Sequence, residues 1–416
     1  MTGPYTYVPL RRFLEELTDG PFGSSLTGSH YSDDGARVIR LGNIGEARFK
    51  SEDEAYIPME YFAELRRHSV ESGDLLIAGL GDSGNPVGRA CLAPEGLGPA
   101  IVKADCFRAR LDERRLLHRF AAWALNSRPV GQQVSTLTRG STRARINLAV
   151  AKAIEIPVPS LEEQRRIADY LDRETARIDA LVEEQQRLIE MLCERRRVLV
   201  TRAVCFGVDG DVELRDSGDP VVGLVPHHWT VKAVRHWMES LDGQRVPLSG
   251  EERADRSGDF DYYGASGVID QVDGYLFDEP LVLVSEDGAN LLMRSTPIAF
   301  AAKGRYWVNN HAHVLRPRNE GNVDFWAQRL EALDVTTVIS GSAQPKLTAG
   351  ALMGLRVSAP DDADEQRRIV AYLNEQTSKI DVLITESERF VELSRERRAA
   401  LITAAVTGQI DVRETA

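Results

Sequence analysis

The first feature of the sequence that could do chemistry is a glycine-rich segment that follows a short apolar run. Residues 79–84 read G-x-G-x-x-G, a pattern that cradles a dinucleotide pyrophosphate when a helix begins at the loop. Pro86 and Gly88 follow at once, and both disfavour a helix at that point. We therefore expect no nucleotide cofactor. An enzyme that uses this loop stays open as an alternative, which predicts that the isolated chain binds a nucleotide or S-adenosylmethionine.

Other patterns that usually carry catalysis are missing from the sequence. There is no P-loop, no Asn- or Asp-Pro-Pro-aromatic motif for methylating an exocyclic amine, and no lysine with a carboxylate two residues before it. The four cysteines lie apart without a C-x-x-C pair, and no third ligand is placed near His311 and His313. The sequence therefore predicts a non-catalytic chain that holds no metal.

The distribution of charge is more informative than its sum. The formal net charge is −12, which on average disfavours contact with nucleic acid. Residues 114–154 nevertheless hold eight Lys or Arg and no acid, and residues 288–319 hold five basic residues and no acid. Each half of the chain thus has one acid-free basic island, which favours contact with a polyanion.

The sequence also bears on location. No stretch approaches the roughly 18 apolar residues that cross a bilayer. The N-terminal segment lacks the basic start, apolar core and cleavage site of an export signal. We expect a cytoplasmic protein without membrane contact.

An internal repeat organises the chain. Residues 162–181 return as residues 364–383, shifted by 202 positions, and both copies contain E-Q-R-R-I, from Glu163 and from Glu365. Upstream, a Gly-Ser segment at residues 138–148 lies 201 positions before a second one at residues 339–349. Such self-similarity predicts two units built on one plan.

Each repeat ends in a long predicted helix. Residues 161–204 and 364–406 contain neither Gly nor Pro, and at 1.5 Å per residue each helix would reach about 60 Å. Capping signals mark both starts and a glycine follows both ends: Ser160 with Glu163, Asp362 with Glu365, then Gly207 and Gly408.

Apolar residues recur at alternating intervals near three and four along both helices, which is typical of a coiled-coil seam. They are Ile167, Leu171, Ile178, Leu181, Leu188, Leu192 and Leu199 in the first helix, and Ile369, Leu373, Ile380, Leu383, Phe390 and Leu401 in the second. A seam needs a partner. Two matched copies in one chain favour an intramolecular antiparallel pair, with oligomerisation as the alternative.

The rest of the chain predicts two globular α/β domains. Short apolar runs at residues 38–44, 74–80 and 88–94 predict strands, with a helix near 113–125 before the first Gly-Ser loop. The second half repeats this order, with a helix near 324–333. We predict an α+β fold with a pseudo-two-fold repeat: a domain at 1–157, a helix at 158–208, a domain at 209–358 and a helix at 359–416. The two domains would be separated by the paired helices.

With these features, the sequence resembles the specificity subunit of a type I restriction–modification system over nearly its whole length. The resemblance is carried by the two E-Q-R-R-I helix starts, by the loops GSTRARIN and GSAQPKL, and by YYGASGVID and VNNHAHVLRP in the second half. The segment LVPHHWTVKAV resembles the usual opening of a second recognition domain.

The resemblance implies a function and partners. In that family two target-recognition domains each read one half of an asymmetric, bipartite sequence in double-stranded DNA, and the paired helices set the spacer. The subunit is non-catalytic and has no cofactor of its own. It docks two adenine methyltransferase subunits that use S-adenosylmethionine, and these can recruit two restriction subunits that need ATP and Mg²⁺.

Base readout would then fall to polar side chains that reach the major groove, with other basic residues on phosphates. The leading candidates lie in the Gly-Ser loops: Arg139, Ser141, Thr142, Arg143, Arg145 and Asn147, with Ser342, Gln344 and Lys346 as counterparts. A second group comprises Arg40, Asn43, Arg89, Lys103, Arg294, Asn309, Asn310 and His311. An ordinary polar turn is the alternative for the loops.

One predicted loop does not suit DNA contact. It carries a crowd of acids and is expected to face away: Glu251, Glu252, Asp255, Asp259 and Asp261. The rival to the whole hypothesis is a coiled-coil scaffold that binds proteins and not DNA. The acid-free islands argue against it.

Overall fold

Each of the two long helices contributes to both units of the fold. The computed structural model describes residues 4–82, 84–138, 144–210, 212–341 and 344–412. It divides into one unit of Met1–Gln186 with Glu388–Ala416 and a second unit of Arg187–Ser387. Each globular part therefore groups with the near segments of both helices.

The first half of the chain consists of short strands and helices followed by the long helix α5. Its elements are β1 (Tyr7–Pro9), β2 (Leu14–Thr18), β3 (Ala36–Ile39), β4 (Tyr56–Ile57), α1 (Met59–Glu64), β5 (Ser69–Val70), β6 (Leu75–Ala78), β7 (Ala90–Leu92), β8 (Ala100–Val102), β9 (Cys106–Leu111), α2 (His118–Leu125), α3 (Arg128–Leu137), α4 (Leu148–Ala153), β10 (Glu155–Pro157) and α5 (Leu161–Phe206).

The second half of the chain follows the same plan and ends in α11. Its elements are β11 (Leu214–Asp216), β12 (Leu224–Pro226), β13 (Thr230–Ala233), α6 (Val234–Trp237), β14 (Met238–Ser240), α7 (Gly250–Asp255), β15 (Ser257–Gly264), β16 (Gly267–Val272), β17 (Phe277–Asp278), β18 (Leu281–Ser285), α8 (Asn290–Met293), β19 (Ala299–Ala302), β20 (Arg305–Val308), β21 (Ala312–Pro317), α9 (Val323–Glu331), α10 (Ala349–Gly354), β22 (Arg356–Ala359) and α11 (Ala363–Val406).

Three sheets of each unit correspond strand by strand, and the second unit has in addition the antiparallel pair β11 with β12. One sheet has the order β2-β9-β6-β7 in the first unit and β14-β21-β18-β19 in the second. Another has the order β4-β3-β8-β5 and β16-β15-β20-β17, with a parallel pair, β3 with β8 and β15 with β20, at its centre. A small antiparallel pair, β1 with β10 or β13 with β22, leads into the long helix. The predicted α+β class and internal repeat are confirmed.

Burial explains the central strands. All four residues of β6 and all five of β18 are buried, which is what a continuous apolar run predicts. The strand predicted at residues 38–44 is shorter, because the Asn43 side chain accepts a hydrogen bond from Arg40 N over 2.8 Å and closes a turn there. The helix predicted from residue 113 begins at His118.

Both long helices end as the sequence predicts. Gly207 and Gly408 adopt the left-handed conformation, with φ of +81° and +72°. Gly408 N donates to the carbonyl of Ala405 over 3.2 Å, and Gln409 N donates to that of Ala404 over 2.8 Å. This pattern is a Schellman motif, which satisfies the last carbonyls of α11.

The helix starts match the prediction once and depart from it once. Ser160 and Glu163 exchange hydrogen bonds of 3.1 and 3.3 Å in a capping box at α5. At α11, Asp362 accepts from Asp364 N over 2.9 Å, but Glu365 does not complete a box. Glu365 is instead buried and accepts from the indole nitrogen of Trp229 over 2.8 Å, because the second domain covers this turn.

The predicted seam holds near the helix ends and in part at the middle, where Ile178, Leu192 and Ile380 are buried. In the first unit, Ile167 and Leu171 near the start of α5 join one core with Ile402 and Val406 near the end of α11. In the second unit, Ala203 and Val204 near the end of α5 join Ile369, Val370 and Leu373 near the start of α11. The two helix segments therefore run antiparallel within each unit, as predicted.

Three seam residues were predicted wrongly. The side chains of Leu181, Leu383 and Phe390 are 45%, 49% and 42% exposed. A straight helix has 3.6 residues per turn, so a stripe spaced at 3.5 drifts around its surface with each heptad. In α11, Ile380 is buried as predicted, whereas farther along the helix the buried residues are Ser387 and Val391, the latter one position beyond Phe390.

Among the described residues, no helix has both the length and the apolar character that crossing a membrane requires.

Candidate nucleic-acid interface

The Gly-Ser loop of the first unit returns to the sheet at a fixed point. Ile146 N donates to the carbonyl of Gly79 over 2.9 Å, and Gly81 N donates to that of Ala144 over 2.9 Å. These two bonds form a bridge between Leu80 and Arg145, just after the buried strand β6. No helix starts among the described residues of this glycine-rich segment, which turns back into β7 instead.

The second unit makes the same bridge. Leu347 N donates to the carbonyl of Glu286 over 2.8 Å, and Gly288 N donates to that of Pro345 over 3.0 Å, just after β18. Asp287 and Lys346 are the bridged residues. Arg145 and Lys346 therefore occupy equivalent positions.

Both loop cations are held by carboxylates. Asp105 Oδ1 accepts from Arg145 Nε over 2.9 Å and lies 2.8 Å from Arg145 Nη2. The guanidinium carbon also lies 5.9 Å from the centre of the exposed Phe22 ring. In the second unit, Lys346 Nζ lies 3.2 Å from Glu286 Oε1. Both cations remain about half exposed, at 52% and 50% of their side chains.

The other loop candidates divide into two groups. Those that lie outside the described residues are Arg139, Ser141, Thr142, Arg143 and Ser342. Of the rest, Gln344 is exposed, whereas the Asn147 side chain caps α4 by accepting from Val150 N over 3.0 Å. Asn147 thus has a structural role that its place in the loop did not predict.

Three residues of the second group are parts of the scaffold. Arg89 is buried, and its guanidinium donates to the carbonyls of Ile44, Leu41, Pro86 and Leu80 at 2.7–3.2 Å.

Asn43 is fully buried, and its amide donates to the carbonyls of Lys50 and Asp53, each over 2.8 Å. Arg294 donates to the carbonyls of Glu331 and Leu333 over 2.9 and 2.6 Å. These contacts occupy polar groups that we expected to face DNA, so the structure gives Arg89, Asn43 and Arg294 a role in the scaffold.

The remaining candidates lie nearer the surface, except one. Arg40 pairs with Asp53, the Lys103 ammonium lies 5.6 Å from the centre of the Tyr31 ring, and His311 lies 2.9 Å from Asp287. Asn310 is exposed. Asn309 is buried, and its side-chain oxygen accepts from His311 N over 2.7 Å, so it shapes the turn.

The basic islands are acid-free in sequence but not in space. Acids from other segments pair with their cations: Arg119 with Asp169, Lys303 with Asp324, Arg305 with Asp278, and Arg316 with Glu239 and Glu279. Part of the positive charge of both islands is therefore compensated in the fold. Sequence windows cannot show this, because the partners come from distant parts of the chain.

Sequence reasoning missed the carboxylates behind the loops. Asp19 follows β2, and its Oδ1 accepts from Asp105 N over 2.9 Å and from Gly20 N over 2.7 Å. Burial raises the pKa of Asp19 to about 6, against the lowering effect of these hydrogen bonds. An acid directly after a strand was the available signal.

The second unit has its own partly buried acid at Asp242. Its Oδ1 accepts from Val314 N over 2.8 Å, and its Oδ2 lies 2.6 Å from His313 Nδ1. Burial acts to raise the pKa of Asp242, but the contacts with His313 and Val314 outweigh it and lower the pKa overall. His313 Nε2 faces the carbonyl of Leu347 at 2.8 Å, so the ring ties this acid to the end of the Gly-Ser loop.

A family model described as "Type I restriction modification DNA specificity domain" matches residues 78–191 and 226–389, once in each half. The chain belongs to this family. Each match includes a Gly-Ser loop, its bridge to the sheet and the start of a long helix.

Relatives in the family are similar over part of their length. The type I restriction enzyme StySPI specificity subunit of Salmonella potsdam is 28% identical over 177 residues, which is 42% of this chain and 37% of that protein. The EcoKI specificity subunit of Escherichia coli gives the same identity and coverage. The chain matches 34–43% of the length of the curated relatives.

Solved structures share the fold of this specificity-family chain. One, from work titled "Structural basis underlying complex assembly and conformational transition of the type I R-M system", has a TM-score of 0.72 at 15% identity and is covered completely by 99% of this chain. The HsdS subunit of Thermoanaerobacter tengcongensis has a TM-score of 0.52 at 16% identity, with 98% of that chain covered.

Proposed function

We propose that this chain is the DNA-recognition subunit of a type I restriction–modification complex and that each unit reads one half of a bipartite site. The observation that carries the proposal is the repeated site. Two domains of divergent sequence, each matched by the same DNA specificity model, present a half-exposed cation at an equivalent bridge. A common frame with different surfaces suits the recognition of two different half-sites.

The proposal assigns catalysis to partners. This chain would position DNA for two methyltransferase subunits that transfer a methyl group from S-adenosylmethionine to adenine. Two restriction subunits that use ATP and Mg²⁺ would join the larger assembly. The helices α5 and α11 would serve as the docking frame and set the spacer between half-sites. Such a complex acts on cellular DNA, so we place it in the cytoplasm.

Methylation mapping tests the recognition role. N6-methyladenine is mapped across the genome of a host with the gene and of the same host after its deletion. We expect a bipartite motif, methylated on both strands, that disappears on deletion and returns on complementation. Unchanged adenine methylation, with the partner methyltransferase expressed, would contradict the proposal.

Binding by the purified complex tests the loops. Fluorescence anisotropy with the mapped duplex is recorded at about 50 and about 200 mM KCl, where displacement of counterions by phosphate contacts weakens affinity steeply. A double variant, Arg145→Gln with Lys346→Gln, should bind less tightly. The matched control is Lys379→Gln, which removes an exposed cation from α11 and should bind as the unchanged protein does.

The same titration distinguishes DNA recognition from the rival function, a protein-binding scaffold. A coiled-coil scaffold that does not bind DNA predicts weak binding that is insensitive to salt and unaffected by either loop substitution. That result would favour the scaffold and remove the recognition proposal.

A further inference from the structure

We propose that Arg145 reads a guanine in one half-site, and that Asp105 is the positioning residue that aims its guanidinium. This inference rests on the proposed function and deepens it, since it assigns a base to one side chain. It also separates Arg145 from the many arginines that contact phosphate without regard to sequence.

The geometry of the pair leaves the right donors available. A guanidinium has five N–H groups in a planar fork. Asp105 Oδ1 lies within hydrogen-bond distance of Nε and Nη2, so the carboxylate covers one edge of the fork. One N–H of Nη1 and the remaining N–H of Nη2 form a second edge of the fork. Guanine presents N7 and O6 side by side in the major groove, which an arginine edge can contact with two hydrogen bonds.

Asp105 is itself held in a strained position. Its φ is +64°, in the left-handed region that costs a non-glycine residue free energy. The surrounding structure enforces it. Asp105 N donates to Asp19 Oδ1 over 2.9 Å, and its carbonyl accepts from Gly79 N over 2.7 Å. The carboxylate therefore has a defined direction before any DNA arrives.

The arginine is fixed from the other sides as well. Its backbone lies in the bridge to Leu80, and the Phe22 ring lies 5.9 Å from the guanidinium carbon. Ordering a long side chain usually costs part of the binding free energy. In this protein the side chain is already ordered before DNA binds. Contact with a correctly placed guanine therefore contributes more to the binding free energy than the same contact from a freely moving arginine would.

The second unit provides the contrast. Lys346 occupies the equivalent position and lies 3.2 Å from Glu286, but an ammonium is a point charge with no planar fork. It contacts a phosphate or an acceptor without the two-point geometry that selects guanine. The structure thus assigns the guanine contact, made by an arginine that a carboxylate orients, to the first unit alone.

The test replaces single atoms in DNA. The full chain with its methyltransferase partner is titrated with duplexes of the mapped site in which each guanine in turn is replaced by 7-deazaguanine, which lacks the N7 acceptor. For the unchanged protein, one position should weaken binding by about tenfold, within the range of a good bidentate base contact. Arg145→Lys should abolish the response at that position and leave the other positions unchanged.

Asp105→Asn tests the positioning role. It keeps the size of the side chain and the backbone hydrogen bonds but removes the charge that aims the arginine. We expect the discrimination at the responding guanine to fall several-fold while the salt dependence of binding stays constant. An unchanged melting temperature and unchanged responses at all other guanines show that the fold is intact.

Two results would overturn the inference while leaving the proposed function intact. In one, the site is bound specifically but no 7-deazaguanine position depends on Arg145. In the other, Arg145→Lys alters the affinity for every duplex equally, as a phosphate contact would. If the unchanged protein shows no preference for the mapped site at all, the proposed function itself fails.

Discussion

At the scale of single residues, Asp19 and Asp242 lie behind the Gly-Ser loops of the two units, but their pKa values are shifted in opposite directions. Asp19 is raised by burial to a pKa of about 6, whereas the pKa of Asp242 is lowered by its contacts with His313 and Val314, which outweigh burial. The difference follows from the partners. Among the described residues, Asp19 accepts from two backbone amides, while Asp242 also contacts an imidazole.

Replacing Asp19 should change how stability depends on pH. In the unfolded chain Asp19 has its ordinary pKa of 3.8, and in the fold about 6, so between these values the folded state holds the proton more tightly. Its contribution to stability is therefore present in acid and is lost as pH rises through about 6. Asp19→Asn keeps an acceptor oxygen and cannot ionise. We expect its free energy of unfolding, relative to the unchanged protein, to increase between about pH 5 and about pH 7.

Asp242→Asn is the matched control, and its effect on stability should depend on pH in the opposite direction. The lowered pKa of Asp242 means that its ionised form stabilises the fold at neutral pH, and this stabilisation is lost as pH falls below the ordinary value of 3.8. The variant should be less stable at neutral pH, and the difference should shrink in acid. Urea unfolding at several pH values measures both. Parallel pH profiles for Asp19→Asn and the unchanged protein would contradict the assignment.

The functional residues also mark the limit of sequence reasoning. The sequence predicted that Arg145 and Lys346 lie in equivalent polar loops, because the repeat aligns the two residues. The sequence did not predict the roles of Arg89 and Asn43, because their side chains donate hydrogen bonds to carbonyl groups of distant turns. The pairing of Arg145 with Asp105 depends on a chain reversal forty residues away, which no local pattern encodes.

At the scale of elements, local signals were the most reliable. Helix ends are set by glycines and capping side chains within a few residues, and these were predicted well. The seam was predicted less well, because which apolar residue is buried depends on the exact turn of the helix and on the partner. Leu181 looked like a seam residue by its spacing yet is largely exposed, whereas Leu171 is fully buried.

Alanine substitutions at Leu171 and Leu181 should show whether stability follows the observed burial or the simple heptad spacing. Leu171→Ala leaves a cavity in the core shared by α5 and α11, which typically costs about 2–5 kcal/mol. Leu181→Ala removes a side chain that is 45% exposed and should cost less than about 1 kcal/mol. Urea unfolding followed by circular dichroism compares them. Equal losses would support the simple heptad seam instead.

At the scale of the whole molecule, the chain is divided across its long helices and not between its sequence halves. The core of the first unit needs residues from the end of α11, and the core of the second needs residues from the end of α5. The repeat makes these two segments alike. Ile402 and Val406 pack near Ile167 and Leu171, while Val200 and Val204, their counterparts in α5, pack near Ile369 and Leu373.

Because the ends of α5 and α11 carry similar apolar residues, we can predict how half of the chain associates. A fragment of residues 1–208 lacks the end of α11, so Ile167 and Leu171 lose their partners. The same fragment carries Val200 and Val204, which can cover these residues in a second copy, with the α5 helices antiparallel. We expect the fragment to form a stable homodimer, because burying this apolar surface is favourable.

Sedimentation velocity measures the mass of the fragment across a range of concentrations. Leu171→Asp places a charge in the shared core and should give monomers, whereas Leu181→Asp, on the exposed face, should leave the dimer intact. The two variants have the same composition and net charge, so a difference between them reports position alone. A folded monomer at all concentrations, or dimers lost equally in both variants, would show that α5 cannot stand in for the end of α11.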